Sequence, residues 1–93
     1  MTAEIVRYRV HYRGHVQGVG FRMTSLAQSR GLSVHGFVRN EGDGSVLMDA
    51  EGPRGDVKEL MRRIKSVMSG NIEDVQVESM PVRGINSGFQ IRH

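Results

Sequence analysis

The chain has no cysteine and no tryptophan, only two prolines, and just two tyrosines and three phenylalanines in 93 residues. Without cysteine there is no disulfide, no thiol nucleophile and no thiolate-held metal, a composition that suits a reducing compartment. So few aromatic rings provide no stacking platform of the kind that reads single-stranded nucleic acid. No apolar run approaches the ~20 residues that span a bilayer. The opening Met1-Thr2-Ala3-Glu4-Ile5-Val6-Arg7 also lacks the apolar stretch of a secretory leader. A cytoplasmic protein without a membrane partner is expected. The length fits one domain, residues 1–93, with room for a two-layer core. A net charge of +3 and an isoelectric point near 10.0 suit an anionic partner, small or polymeric.

What the chain does have is glycine in an ordered place. Gly14-His15-Val16-Gln17-Gly18-Val19-Gly20-Phe21-Arg22 places three glycines before an arginine at the expected start of a helix. A backbone curled by glycine turns several N–H groups toward one point. A helix N-terminus adds partial positive charge and the guanidinium a full one. Such a cradle suits a small tetrahedral oxyanion such as phosphate. A Walker loop would need Lys-Ser/Thr where Phe21-Arg22 stand, and a dinucleotide fingerprint would need a third glycine after Gly18-Val19-Gly20. That leaves a phosphate cradle of another kind, or a plain turn.

Hydrophobic periodicity gives the frame. Val6, Tyr8, Val10 and Tyr12 alternate with Arg7, Arg9, His11 and Arg13, which predicts a strand over 6–13 with one buried face. A helix is expected over 21–30 with Met23, Leu26 and Ala27 inward, stopped by Gly31. Strands are expected over 34–40 and 45–51, joined by hairpin chemistry at Glu41-Gly42-Asp43-Gly44. Asp56 with Glu59 resembles a capping box, and Val57, Leu60, Met61, Ile64, Val67 and Met68 recur at helical spacing. A strand over 75–82 and a short last one around Phe89 and Ile91 complete the chain.

The order β-α-β-β-α-β plus a short terminal strand predicts an α+β, ferredoxin-like sandwich: an antiparallel sheet with two helices on one face. The first strand would lie between the third and fourth. The other sheet face would then set Arg7, Arg9 and His11 beside Asp49, Glu51 and Glu78. Exposed cross-strand pairs of this kind contribute about 0.2–1 kcal/mol each. The four histidines, His11, His15, His35 and His93, lack metal-ligand spacing, so no metal and no other cofactor is expected.

A second ordered segment, Gly36-Phe37-Val38-Arg39-Asn40-Glu41-Gly42-Asp43-Gly44-Ser45-Val46, closes with Gly52. Together with the 14–22 run it closely resembles the acylphosphatases, small enzymes that hydrolyse the carboxyl–phosphate anhydride to carboxylate and inorganic phosphate. The resemblance covers essentially the whole chain, including the ending Phe89-Gln90-Ile91-Arg92-His93. It implies that Arg22 binds the substrate phosphate and that Asn40 orients the attacking water. It further implies that the main-chain amides of Gln17, Gly18, Val19, Gly20, Phe21 and Arg22 cradle the phosphate. A stand-alone monomer is implied, with a small acyl phosphate as substrate and no nucleic acid or membrane as partner.

Three positions depart from the family pattern. Gly20 stands at a variable position, His93 replaces the common tyrosine, and Glu41 puts an acid beside Asn40, where it would slow capture of an anion. A last strand lying beside the loop would let the terminal carboxylate of His93 pair with Arg22. Two functions of other classes share the element order. An RNA-recognition module would need aromatics on the open sheet face, but Tyr8 and Tyr12 fall on the face expected to be covered. A ligand-sensing domain has only topology in its favour.

Overall fold

The computed structural model describes residues 4–93. Strand β1 (Ile5–Gly14) leads to helix α1 (Phe21–Gln28), then strands β2 (His35–Asn40) and β3 (Val46–Pro53). Helix α2 (Arg54–Met68) follows, then strands β4 (Ile72–Met80) and β5 (Phe89–Arg92). All five strands join one sheet in the order β4-β1-β3-β2-β5. β1 lies between β3 and β4, antiparallel to both, and β2 is antiparallel to β3. The fold is the expected ferredoxin-like α+β sandwich, with one correction. The sheet is mixed, because β5 adds to the outer edge of β2 in parallel, with Gly36 opposite Phe89 and Arg39 opposite Arg92. The 81–88 segment must carry the chain from one edge of the sheet to the other, and it delivers β5 running in the direction of β2.

The core follows the alternation of the strands. Val6, Val10 and Tyr12 of β1 meet Val46, Met48 and Ala50 of β3 and Val38 of β2 beneath Leu60 and Ile64 of α2. Burying each large aliphatic side chain stabilises the fold by roughly 1.5–3 kcal/mol. Helix α1 presents a different face from the one expected. Phe21 and Ser25 are buried, Leu26 is half-buried, and Met23 and Ala27 face solvent. The Phe21 ring sets this phase by packing on Tyr12, with centroids 4.9 Å apart and planes tilted by 53°. Ser25 tolerates the core because its hydroxyl donates to the Phe21 carbonyl at 2.8 Å.

Helix α2 buries Val57, Leu60, Ile64 and Met68 but leaves Val67 exposed. The expected capping box does not form, because the helix starts directly after Pro53, three residues earlier than the box requires. The Asp56 carboxylate instead accepts from the Ser33 amide at 2.8 Å. Glu59 accepts from Arg62 and Arg63, and these contacts hold its carboxyl down at about 2. Arg63 also donates to the carbonyls of Gln28, the last residue of α1, and of Arg30 just beyond it. Strand β4 starts and ends earlier than expected, and as an edge strand it leaves Val75 and Val77 exposed.

The second sheet face is partly covered rather than open throughout. Its register is as expected for two residues: Arg7 stands opposite Glu51, and Arg9 between Asp49 and Glu78. His11 faces Leu47 and Gln76 instead. The 81–88 segment lies over this face. Arg7 donates to the Pro81 carbonyl, and Glu51 accepts the amides of Arg83 and Ile85 at 2.7 Å each. Asp49 is therefore fully buried, and it accepts Nε and Nη2 of Arg7 at 2.9 and 2.8 Å and Nε of Arg9 at 2.9 Å. Burial would raise the Asp49 carboxyl, but the two guanidinium groups outweigh it and hold it below the usual range. The same contact raises Arg7 further.

A depressed folded-state value means that this stability is present above the unfolded carboxylate value and is lost as pH falls through the folded one. Urea unfolding should therefore show a loss that grows below about pH 4. Asp49→Asn leaves the buried Arg7 without its charge partner and should cost roughly 3–5 kcal/mol at neutral pH while making the acid slope shallower. A variant within 1 kcal/mol of the parent, with an unchanged acid slope, would show that the pair does not hold this face.

Candidate active site

The 15–20 loop is fixed at both ends by side chains in the core. Val16 is 1% exposed and Phe21 2%, and Val19 packs partly against the same cluster. Between these anchors the chain must turn within four residues. It does so through Gly18 and Gly20, at φ +76° and +77°, a left-handed conformation in which a Cβ is strained. Gly20 is also the residue that opens α1. Among the described residues, the amides of Gln17, Gly18, Val19, Gly20, Phe21 and Arg22 have no protein acceptor. Six consecutive N–H donors stay available at a helix N-terminus, where the dipole favours negative charge.

Gly18, Gly20, Phe21, Arg22 and Asn40 line a hollow of about 110 Å³. The structure thus brings the two sequence motifs to one place. Val16 closes the floor and Met23, 65% exposed, forms part of the rim. Gln17 and Val19 do not line the hollow. Asn40 is the last residue of β2, opposite Val46, and its side-chain amide has no protein hydrogen bond among the described residues.

Arg22 reaches the end of the chain differently from expectation. Its Nη1 lies 3.4 Å from the Arg92 carbonyl oxygen and 3.2 Å from Nδ1 of His93. The main chain of β5 and an imidazole therefore hold the guanidinium, in place of the terminal carboxylate. Accepting from Arg22 requires Nδ1 of His93 to carry no proton. Glu41 is also less of an obstacle than its position suggests. Its carboxylate is drawn toward Nε of Arg39, at 3.2 Å, and it does not line the hollow.

One contributor escapes sequence reasoning. The Gln17 side chain donates Nε2 to the Glu41 carbonyl at 2.8 Å and to the Ser45 carbonyl at 2.9 Å. It fastens the glycine loop to the hairpin that carries Asn40. The hairpin is further closed by Asp43, which accepts from the amide and hydroxyl of Ser45 and from Arg13, contacts that hold its carboxyl well below the usual range. A glutamine inside a glycine motif gives no signal that its side chain ties the loop to the hairpin.

Fold and hollow together describe a small α+β sandwich that offers main-chain donors and one guanidinium to an anion. The acylphosphatase family model matches residues 8–91. An acylphosphatase of Anaeromyxobacter sp. (strain Fw109-5) is 38% identical over 92 residues, covering 98% of this chain and 99% of that protein. One from Moorella thermoacetica is 38% identical, with 95% of each chain covered. The crystal structure of acylphosphatase from Bacillus subtilis superposes with a TM-score of 0.82 at 27% identity, over 95% of this chain and 99% of that one. The chain belongs to the acylphosphatase family, hydrolases that act on acyl phosphates. The fold alone also matches 12% of full-length HypF, with a TM-score of 0.79 at 23% identity.

The Gln17 link yields a direct expectation. Gln17→Leu should lower the unfolding free energy by roughly 1–3 kcal/mol, because two carbonyls lose their shared donor. It should also slow acyl phosphate hydrolysis by loosening the hairpin. Gln17→Glu, which sets a carboxylate against two carbonyl oxygens, should be worse on both counts. Chemical denaturation and turnover measured side by side check this, and a Glu variant as stable and active as the parent would dismiss the link.

Proposed function

We propose that this chain hydrolyses the carboxyl–phosphate bond of small acyl phosphates by in-line attack of water, with Arg22 and Asn40 as catalytic residues. The phosphoryl group sits in the hollow at the start of α1. It accepts hydrogen bonds from the amides of Gln17, Gly18, Val19, Gly20, Phe21 and Arg22 and from the Arg22 guanidinium. The observation that carries this reading is a run of six amides without protein acceptors, four of whose residues, Gly18, Gly20, Phe21 and Arg22, line the same hollow as Asn40. Phosphoryl transfer chiefly needs positioning and stabilisation of charge on the equatorial oxygens, which fixed donors supply without reorganising.

The Asn40 carbonyl oxygen accepts a proton of the water and holds it opposite the leaving group, while its NH₂ donates to a phosphoryl oxygen. The water oxygen bonds to phosphorus as the bond to the carboxylate oxygen breaks, so the carboxylate leaves with that electron pair. Asn40 does not titrate, so a phosphate oxygen takes the proton of the water. The groups assigned to the phosphoryl oxygens are N–H donors, which suit an anion. The enzyme works without metal or other cofactor, as a single-domain monomer in the cytoplasm, and releases carboxylate and inorganic phosphate.

The test is hydrolysis of benzoyl phosphate in excess chelator by the parent, Arg22→Ala and Asn40→Ala. Each substitution should lower turnover at least ~10²-fold, the usual cost of removing one oxyanion-stabilising donor. Activity that vanishes with chelator and returns with added metal would overturn the metal-free scheme. Full activity in either variant would remove that residue from the mechanism.

A further inference from the structure

A second cavity, of about 350 Å³, opens on the sheet face turned away from the helices, beside the 81–88 segment. It is about three times the volume of the hollow at α1 and within the usual range of small-molecule sites. Its wall carries five guanidinium groups, from Arg7, Arg9, Arg39, Arg83 and Arg92, and a single carboxylate, Asp49. That carboxylate is already taken by Arg7 and Arg9. Arg39 shares Glu41, whereas the side chains of Arg83 and Arg92 have no carboxylate partner among the described residues.

The arrangement is held in place rather than loose. The Arg92 guanidinium lies 4.1 Å from the centroid of the Phe37 ring, and that of Arg39 lies 5.4 Å from it. Stacking over a ring fixes a guanidinium plane and leaves its N–H edge free to donate. Arg7 is fixed from the other side by Asp49 and the Pro81 carbonyl. Like charges gathered this closely repel one another, and a multiply charged anion relieves that repulsion while accepting several charge-assisted hydrogen bonds.

We propose that this cavity is a second anion site, separate from the hollow at α1, and that it binds a compact polyanion built of linked phosphates. A single tetrahedral anion would engage one or two of these arginines, whereas the volume and the spread of donors match a longer chain of phosphate oxygens. The site lies on the opposite side of the sheet from α1, so occupying it does not require the hydrolytic residues.

Calorimetric titration with inorganic tripolyphosphate at low salt is the test. The parent should bind it, and affinity should fall as salt is raised, because part of the site is exposed to solvent. Arg83→Gln and Arg39→Gln should each weaken binding about tenfold, the worth of one charged hydrogen bond. Arg22→Gln should leave it unchanged. Amide shifts of the parent, recorded by NMR during the same titration, should move at Phe37, Arg39 and Arg83. Three results would overturn the proposal. The first is no binding. The second is binding lost in Arg22→Gln and retained in the other two variants, with shifts confined to 17–22. The third is a single-stranded RNA oligomer that binds more tightly than tripolyphosphate and depends on the same arginines, which would make this face a nucleic-acid surface.

Discussion

Two side chains in the core, Val16 and Phe21, govern what the glycine loop can be. Both are buried, and the four residues between them must reverse the chain without burying their own backbone. Left-handed glycines at 18 and 20 make that possible and deny the loop any internal amide bonds. The donors are thus oriented by packing in the core. Oriented donors of this kind are worth more to a reaction than mobile ones, since nothing has to reorganise as charge develops. The same Phe21 sets the phase of α1 through Tyr12 and so determines where Arg22 points.

The rest of the site is assembled by neighbours that do no chemistry. Gln17 joins the loop to the hairpin, Asp43 closes the hairpin, and Arg39 draws the Glu41 charge aside. Strand β5 serves both faces of the sheet at one residue. The carbonyl of Arg92 meets Arg22, while its guanidinium stacks on Phe37 on the opposite side. The crossing of 81–88 that brings β5 to this edge also buries Asp49 and Arg7. A contact that looked like surface charge pairing is in fact part of how the last strand is delivered.

The elements legible in the sequence are those governed by one dominant period. The alternation of β1 and the apolar stripe of α2 each bury one face, so pattern and packing agree. Helix α1 has eight residues and only a weak stripe, so a single aromatic contact could rotate it away from Met23 and toward Ser25. The capping box failed because Pro53 starts α2 earlier, leaving Asp56 inside the first turn. A parallel β5 was not legible, since its direction depends on a crossing segment with no period of its own. At the site, Arg22 and Asn40 were identified by family resemblance. Taken alone, an arginine in a first turn and an asparagine before a hairpin are ordinary surface residues.

The size of the hollow bears on which substrates such a site accepts. About 110 Å³ accommodates a phosphoryl group and the water beside it and little more. Under the proposed mechanism every specific contact is spent on the group common to all acyl phosphates. The acyl portion then lies outside the hollow, whose lining includes the exposed Met23. Binding energy from that portion cannot be used to discriminate strongly, because a difference of one methylene in an apolar contact is worth only about 1–3 kcal/mol even in an enclosed pocket. Selectivity would instead come from the leaving group. A carboxylate departs from phosphorus unaided, whereas an ordinary alkoxide needs an acid, and among the described residues no carboxyl or imidazole lines the hollow. Under that mechanism, a site without a titrating catalytic group is confined to substrates that are already activated.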